Sequence, residues 1–313
     1  MKRILITGGS GFIGTNLIQK LLLEEKHIFI YCVDNFITGN RFLFESFPKD
    51  KFRLVEMDIC SPDFLSFDFG SIDQIYHLAG IASPEKYMKY PLMTLDTSIL
   101  GTKNVLELTR IHHCRMLFTS TSEVYGDPLV HPQPEEYYGN VNTLGDRSCY
   151  DEGKRVAETY IYEYKKKFHL HVKIVRIFNT YGPHMDIEDG RVITNFFKNI
   201  FQKKPIVIYG DGTQTRSFCY VSDMVEGLIS MMNSEEFGPI NLGNPFCELS
   251  LLELVQCFEK VVNHPIPLEF MEKKMNDPQC RKPVIQKAKK ALGWHPKVDI
   301  LDGLEVTYEF FLS

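Results

Sequence analysis

The chain has 313 residues, with 35 basic against 40 acidic side chains and a net charge of −5, so no basic excess holds nucleic acid by bulk charge. A hydrophobic content of 44% is ample for a buried core. With a mean hydropathy of −0.16 and no apolar run of about 18 residues, the sequence predicts no membrane span.

In chain order, Arg3–Thr7, Ile28–Val33, Arg53–Met57, Gln74–His77, Arg115–Ser120 and Val172–Ile177 read as strands rich in β-branched and aromatic residues. Between them Gly11–Glu24, Thr94–Arg110 and Tyr150–Lys167 carry apolar residues at helical spacing. This alternation predicts a doubly wound α/β fold, a parallel sheet with helices on both faces. After about residue 178 longer loops appear, so the predicted domains are 1–178 and a smaller mixed lobe over 179–313. The chain enters its first strand directly after Met1-Lys2-Arg3, and its eight cysteines show no CxxC pair. Both features predict a cytoplasmic protein with reduced thiols and no signal peptide. The ten histidines and eight cysteines form no ligand pattern, so no metal is expected.

The first strand runs into Gly8-Gly9-Ser10-Gly11-Phe12-Ile13-Gly14. Glycine is required where the chain turns tightly and its backbone must approach a pyrophosphate at a helix N-terminus. Asp34, twenty residues beyond Gly14 at the end of the second strand, places a carboxylate for the adenosine ribose and against a 2′-phosphate. NAD is therefore the expected cofactor. Asn35, then Asp58 and Ile59 after the third strand, and Leu78 and Ala79 after the fourth complete the predicted cofactor contacts with Phe12 and Ile13. For Asp58 a loop-capping role stands beside contact with the adenine. His77, ahead of Leu78, is read as a packed residue.

Tyr150 and Lys154 fall one helical turn apart on one face. A phenol with a free pKa of about 10 needs a nearby cation to serve as a base, and both residues would also touch the cofactor. Thr121, Ser122 and Glu123 emerge from the fifth strand at the sheet edge where ligands bind, offering hydroxyls and a carboxylate for proton transfer.

TGGSGFIG, STSEVYG and YDEGK together resemble the extended short-chain dehydrogenases/reductases acting on nucleotide sugars. The resemblance spans essentially the whole chain through Ser120–Pro128, Arg147–Glu158, Arg176–Pro183, Asp189–Asn195, Tyr209–Arg216, Asn241–Pro245 and Arg281–Pro283. It is strongest to UDP-glucuronate decarboxylases and the neighbouring UDP-N-acetylglucosamine dehydratases. The resemblance implies a Rossmann domain binding NAD and a C-terminal lobe binding a UDP-sugar. It makes Tyr150 the base at the C4 hydroxyl, supported by Lys154 and Thr121, with Ser122 and Glu123 near C5 and C6. It directs Arg281 at the C6 end and assigns Asn179, Arg191, Tyr209 and Arg216 to the UDP moiety. It also implies a homodimer paired through the Thr94–Arg110 and Tyr150–Lys167 helices, with Leu106 and Tyr160 at the interface or in the core.

Both reactions begin with oxidation at C4, and the fate of C6 separates them. Three departures from the decarboxylase pattern weigh toward the dehydratase. Gly80-Ile81 stands where that group has serine-proline, Asp96 where it has a lysine, and Val284 where it has an aspartate. The resulting expectation is a UDP-N-acetylglucosamine 4,6-dehydratase, with 5-epimerisation open. UDP-glucuronate decarboxylase is the alternative, and a 4-epimerase or an inactive NAD-binding scaffold the lesser ones.

Overall fold

The computed structural model describes residues 1–44, 47–272 and 279–313. Its centre is a seven-stranded sheet of β1 (Lys2–Thr7), β2 (Ile28–Asp34), β3 (Phe52–Glu56), β4 (Gln74–His77), β5 (Arg115–Thr121), β6 (Val172–Ile177) and β7 (Ile240–Leu242). The strands are all parallel, in the order β7-β6-β5-β4-β1-β2-β3. The chain winds outward in opposite directions from β1, which pairs with both β2 and β4. The carboxyl ends of β1 and β4 therefore flank a crevice at the switch point.

The sheet is parallel because each strand must return by a crossover helix, and those helices bury both faces. On one face Ile4, Ile6, Ile30 and Leu117 pack with Leu17, Ile18, Met224 and Leu228 of the Phe12–Glu24 and Val221–Asn233 helices. On the other, Leu5, Val33, Ile75 and Phe118 pack with Val105, Leu106, Ala157 and Ile161 of the Thr102–His112 and Ser148–Phe168 helices. Leu106 is fully buried here, so it belongs to the core.

The six predicted strands and the first and third helices appear within two residues of their expected bounds. The helix expected over Thr94–Arg110 is interrupted: Pro91–Asp96 leads into a π-helical turn, Thr97–Gly101, before Thr102–His112. Gly101, which ends this turn, lies so close to Ile59 that an added Cβ would sit 2.5 Å from its Cδ1. β7 was not foreseen; three residues between Gly238-Pro239 and Gly243 are too few to show a period.

A third apolar cluster lies beyond β6. Ile193, Phe196 and Phe197 of the Val192–Phe201 helix meet Ile206 and Ile208 of the Ile206–Tyr209 strand and Phe258 of the Leu251–Val262 helix. Small strands here carry site residues. Thr215–Ser217 pairs with Cys280–Arg281 so that Arg216 stands beside Arg281. No helix among the described residues is long and apolar enough to cross a membrane, and no metal-ligand cluster occurs among them.

Candidate active site

One cleft of about 1440 Å³ runs from the β1–β4 crevice to the third apolar cluster. That exceeds the roughly 300–1,000 Å³ of a pocket for one small molecule, leaving room for a dinucleotide and a nucleotide-sugar together. Every cofactor, catalytic and substrate residue singled out from the sequence lines it.

At the crevice, Gly8 holds a positive φ of 71° and donates its N–H to Val33 O at 2.8 Å. A Cβ there would sit 2.5 Å from the Ala79 backbone, and one on Gly14 2.6 Å from Gly9 Cα. At Gly11 an added Cβ would meet only Gly8 O, at 3.4 Å, so its outer side opens on the cleft. Gly11 is also the N-cap of the Phe12–Glu24 helix and offers no side chain to its first-turn N–H groups. These donors, the helix dipole and the cleared approach fit a pyrophosphate.

Asp34 Oδ2 accepts from Ser10 N at 3.0 Å and Oδ1 from Phe36 N at 2.9 Å, which fixes the carboxylate at the cleft wall with lone pairs left for ribose hydroxyls. Asp58 accepts from Asn35 Nδ2 at 3.2 Å and Cys60 N at 2.8 Å, a capping arrangement. The dinucleotide cradle therefore fits NAD on the residues present. His77 is sealed behind it between Thr7 at 2.8 Å and Thr102 at 3.0 Å. Burial, then the Lys154 charge, lowers its pKa to about 3, so it stays neutral.

In the first turn of the Ser148–Phe168 helix, Tyr150 is 7% exposed and stacks on Tyr87 with ring centroids 5.1 Å apart. Burial pushes its phenol up to about 12, opposed by a hydrogen bond with Thr121 and aided by the Glu123 and Asp151 charges. This differs from the expectation that Lys154 lowers it. Lys154 instead donates to Thr119 O at 2.9 Å, lies 4.6 Å over the Phe118 ring, and is itself pulled down to about 8 by burial. Both groups are thus nearer to their neutral forms than in water.

Thr121 ends β5 and caps the tight turn Ser122–Tyr125 by accepting from Glu123 N at 3.2 Å. That turn aims Glu123 at two guanidiniums. Its Oε2 accepts from Arg147 and, at 3.3 Å, from Arg281 Nη2. Arg281 is 1% exposed and also donates to Ser122 O. Burial alone would raise the Glu123 carboxyl, but Arg281, Arg147 and Arg216 hold it below the ordinary carboxylate range. Glu123 is therefore ionised at neutral pH.

The expected UDP contacts line the same cleft. Arg191, N-cap of the Val192–Phe201 helix, is gripped by Asp189, with Nε at 2.9 Å from Oδ1, and lies over Phe12. Asn179 follows β6, Tyr209 ends its strand, and Arg216 donates to Thr215 O at 2.8 Å. Tyr87, Arg147 and Asp151 were not singled out from the sequence, although Arg147 and Asp151 lie inside the resembling stretch Arg147–Glu158. Two of the departures that favoured the dehydratase stand apart from the cleft lining: Asp96 is solvent-exposed with its charge felt at Cys60, and Val284 makes backbone hydrogen bonds with Gln133 and Asn241. Solvation removes the force of the Asp96 charge argument.

Comparison with known proteins corrects the dehydratase expectation. UDP-glucuronic acid decarboxylase 5 of Arabidopsis thaliana is 47% identical over 310 residues, covering 99% of this chain and 89% of that protein. UDP-glucuronic acid decarboxylase 1 of Xenopus tropicalis is 47% identical over 311 residues, covering 99% and 72%. Among solved structures, the UDP-glucuronic acid 4-epimerase of Bacillus cereus with UDP-glucuronic acid and NAD superposes with a TM-score of 0.89 at 28% identity, covering 99% of both chains. The alternative reaction drawn from the sequence is thus favoured over the main one. The model of the "NAD dependent epimerase/dehydratase family" matches residues 4–243, and this chain belongs to that family of NAD-dependent enzymes.

Proposed function

We propose that the chain decarboxylates UDP-glucuronate, giving a UDP-pentose and carbon dioxide. The observation that carries this reading is the state of Glu123. A 4,6-dehydratase needs an acid beside C6 to hand a proton to the departing water, and the sequence has Ser122-Glu123 where the resembling dehydratases that retain the C5 configuration usually carry two carboxyls, Asp-Glu. The remaining one is clamped as an anion by Arg147 and Arg281. A decarboxylase needs no such acid. It needs cations beside a C6 carboxylate, which Arg147 and Arg281 would supply in this reading.

In this reading the UDP diphosphate lies toward Arg216 and Arg191, and the sugar toward Thr121 and Tyr150. Tyr150 takes the C4 hydroxyl proton, with Thr121 hydrogen-bonded to it and Lys154 one helical turn away on the same face. NAD held by the Gly8–Gly14 turn and Asp34 would supply the hydride acceptor for C4 and the donor for its return, and its positive charge would favour the phenolate. The ketone at C4 makes C6 the carboxylate of a β-keto acid. Its C5–C6 bond breaks, carbon dioxide leaves, and the electron pair passes into the C4 carbonyl as an enolate. One proton from solvent is taken up at C5, and as the hydride returns to C4 Tyr150 gives its proton back to the C4 oxygen. Pairing of two copies through the Pro91–His112 and Ser148–Phe168 segments belongs to the same reading; sedimentation at a dimer mass supports it and a monomer mass refutes it.

The test is mass spectrometry after separate incubation of UDP-glucuronate and UDP-N-acetylglucosamine with the NAD-loaded enzyme. Loss of carbon dioxide from the first is the expected result. Loss of water from the second, with the first unchanged, overturns the proposal.

A further inference from the structure

One buried carboxyl in this region has no role in the steps above. Asp151 follows the base Tyr150 in the first turn of its helix, is 8% exposed, and its Oδ1 has no hydrogen-bond partner. It is not among the residues that line the cleft. The charges that reach it come from every side: Glu123 from the turn after β5, Arg281 from the Cys280–Arg281 strand, and Arg147 and Glu152 from its own helix end. The phenols of Tyr87 and Tyr150 and the thiol of Cys149 also feel its charge. An unpaired carboxylate oxygen in such a place is expensive, whereas a neutral carboxyl is tolerable.

Counting charge gives the consequence. Arg147 and Arg281 contribute two positive charges and Glu123 one negative charge. With Asp151 neutral the cluster is left with one net positive charge; with Asp151 ionised it has none. We propose that Asp151 is a positioning residue for substrate choice: its neutral carboxyl keeps the Glu123–Arg147–Arg281 cluster electropositive enough to accept a sugar carboxylate at C6, and its ionisation cancels that preference. Arg216 adds a further positive charge to the cluster, and because it is assigned to the diphosphate in the decarboxylase reading, acidic and neutral UDP-sugars meet it alike. The inference rests on the decarboxylase reading for where C6 lies.

Burial first, then the Glu123 charge, raises the Asp151 carboxyl to about 7, against the lowering effect of Arg147 and Arg281. The sign follows. Below that value the group is neutral and a carboxylate substrate is accepted. As pH rises through it the group ionises, and affinity for the carboxylate substrate falls by up to about tenfold per pH unit, while binding draws a proton back in.

The test measures dissociation constants between pH 6 and 9 by titration calorimetry, using the NAD-loaded full chain carrying Tyr150→Phe so that no turnover occurs. UDP-glucuronate and UDP-xylose are compared; they share the nucleotide and differ at C6. UDP-glucuronate affinity is expected to fall toward high pH with proton uptake on binding, while UDP-xylose affinity stays level. Adding Asp151→Asn, neutral at every pH, is expected to flatten the UDP-glucuronate curve at its low-pH affinity. Equal slopes for the two ligands, or a slope surviving in Asp151→Asn, overturns the inference. Should Asp151→Asn fail to fold, the comparison of the two ligands without it decides alone. Carbon dioxide loss with no ligand-specific slope sinks this inference and leaves the decarboxylase reading standing. The ligand-specific slope without carbon dioxide loss does the reverse.

Discussion

Replacing Arg281 by Met tests whether the Glu123 clamp is a coupled unit. The guanidinium is 1% exposed and donates to both Ser122 O and the Glu123 carboxylate. Its loss leaves an ionised, largely buried carboxylate with Arg147 as an ion-pair partner, and breaking a buried pair from one side costs about 3–5 kcal/mol. With an unfolding entropy near 2.1 cal/mol/K per residue, that is a fall in Tm of roughly 5–8 °C for a chain of this length. The double variant Arg281→Met with Glu123→Gln removes the stranded charge together with its partner. Its main remaining cost is the unpaired Ser122 carbonyl, about 1–3 kcal/mol. Thermal unfolding of wild type, both single variants and the double variant at fixed NAD concentration gives the cycle, since ligand concentration itself shifts Tm. The double variant should be less destabilised than the sum of the singles by more than about 1 kcal/mol. The sign with pH is also fixed. A carboxyl held below its ordinary value contributes stability at neutral pH and loses it as pH falls through its folded value, so the Arg281→Met penalty shrinks in acid. Additivity within about 0.5 kcal/mol, or a penalty that grows in acid, refutes the clamp.

Further outcomes follow from the same geometry. Tyr150→Phe should lower turnover of UDP-glucuronate by at least about 10²-fold while the purified protein keeps its NAD, read from the cofactor released on denaturation. Gly8→Ala should sharply lower NAD content and Tm together, because the new Cβ meets the Ala79 backbone at 2.5 Å in a left-handed conformation; full NAD loading would show that the turn yields. Asp34→Ala should weaken NAD binding more than NADP binding, measured as the ratio of their dissociation constants, and an unchanged ratio would remove the carboxylate from coenzyme choice.

What was legible in the sequence was whatever is local. β1 to β6 show themselves because four to seven consecutive residues carry their own apolar signature, and Gly8 to Gly14 because a turn is written in adjacent positions. Tyr150 and Lys154 share a face by helical spacing alone. Facing across the fold was not legible. Asp96 looked like a charge reversal beside the sugar because a linear match gives a position and no direction; the side chain is out in water. The Glu123 clamp joins residues 24 and 158 positions apart, and no periodicity reports such a pair. The expected drop in the Tyr150 pKa failed for a related reason: spacing puts Lys154 on the same face, but burial dominates at both groups, and Lys154 is not among the charges that shift the phenol.

The strand Ile240–Leu242 also bears on how the chain reaches its native state. It closes the outer edge of Val172–Ile177, and Asn241 ties Tyr125 at 2.7 Å, Gln133 at 3.0 Å and Val284 at 3.2 Å. During synthesis the first six strands emerge well before their last neighbour, and for that interval an apolar parallel edge has unpaired backbone groups. Such an edge is a template for another chain. Until residues 240–242 are available to pair with it, that edge stays open to a second copy of the chain.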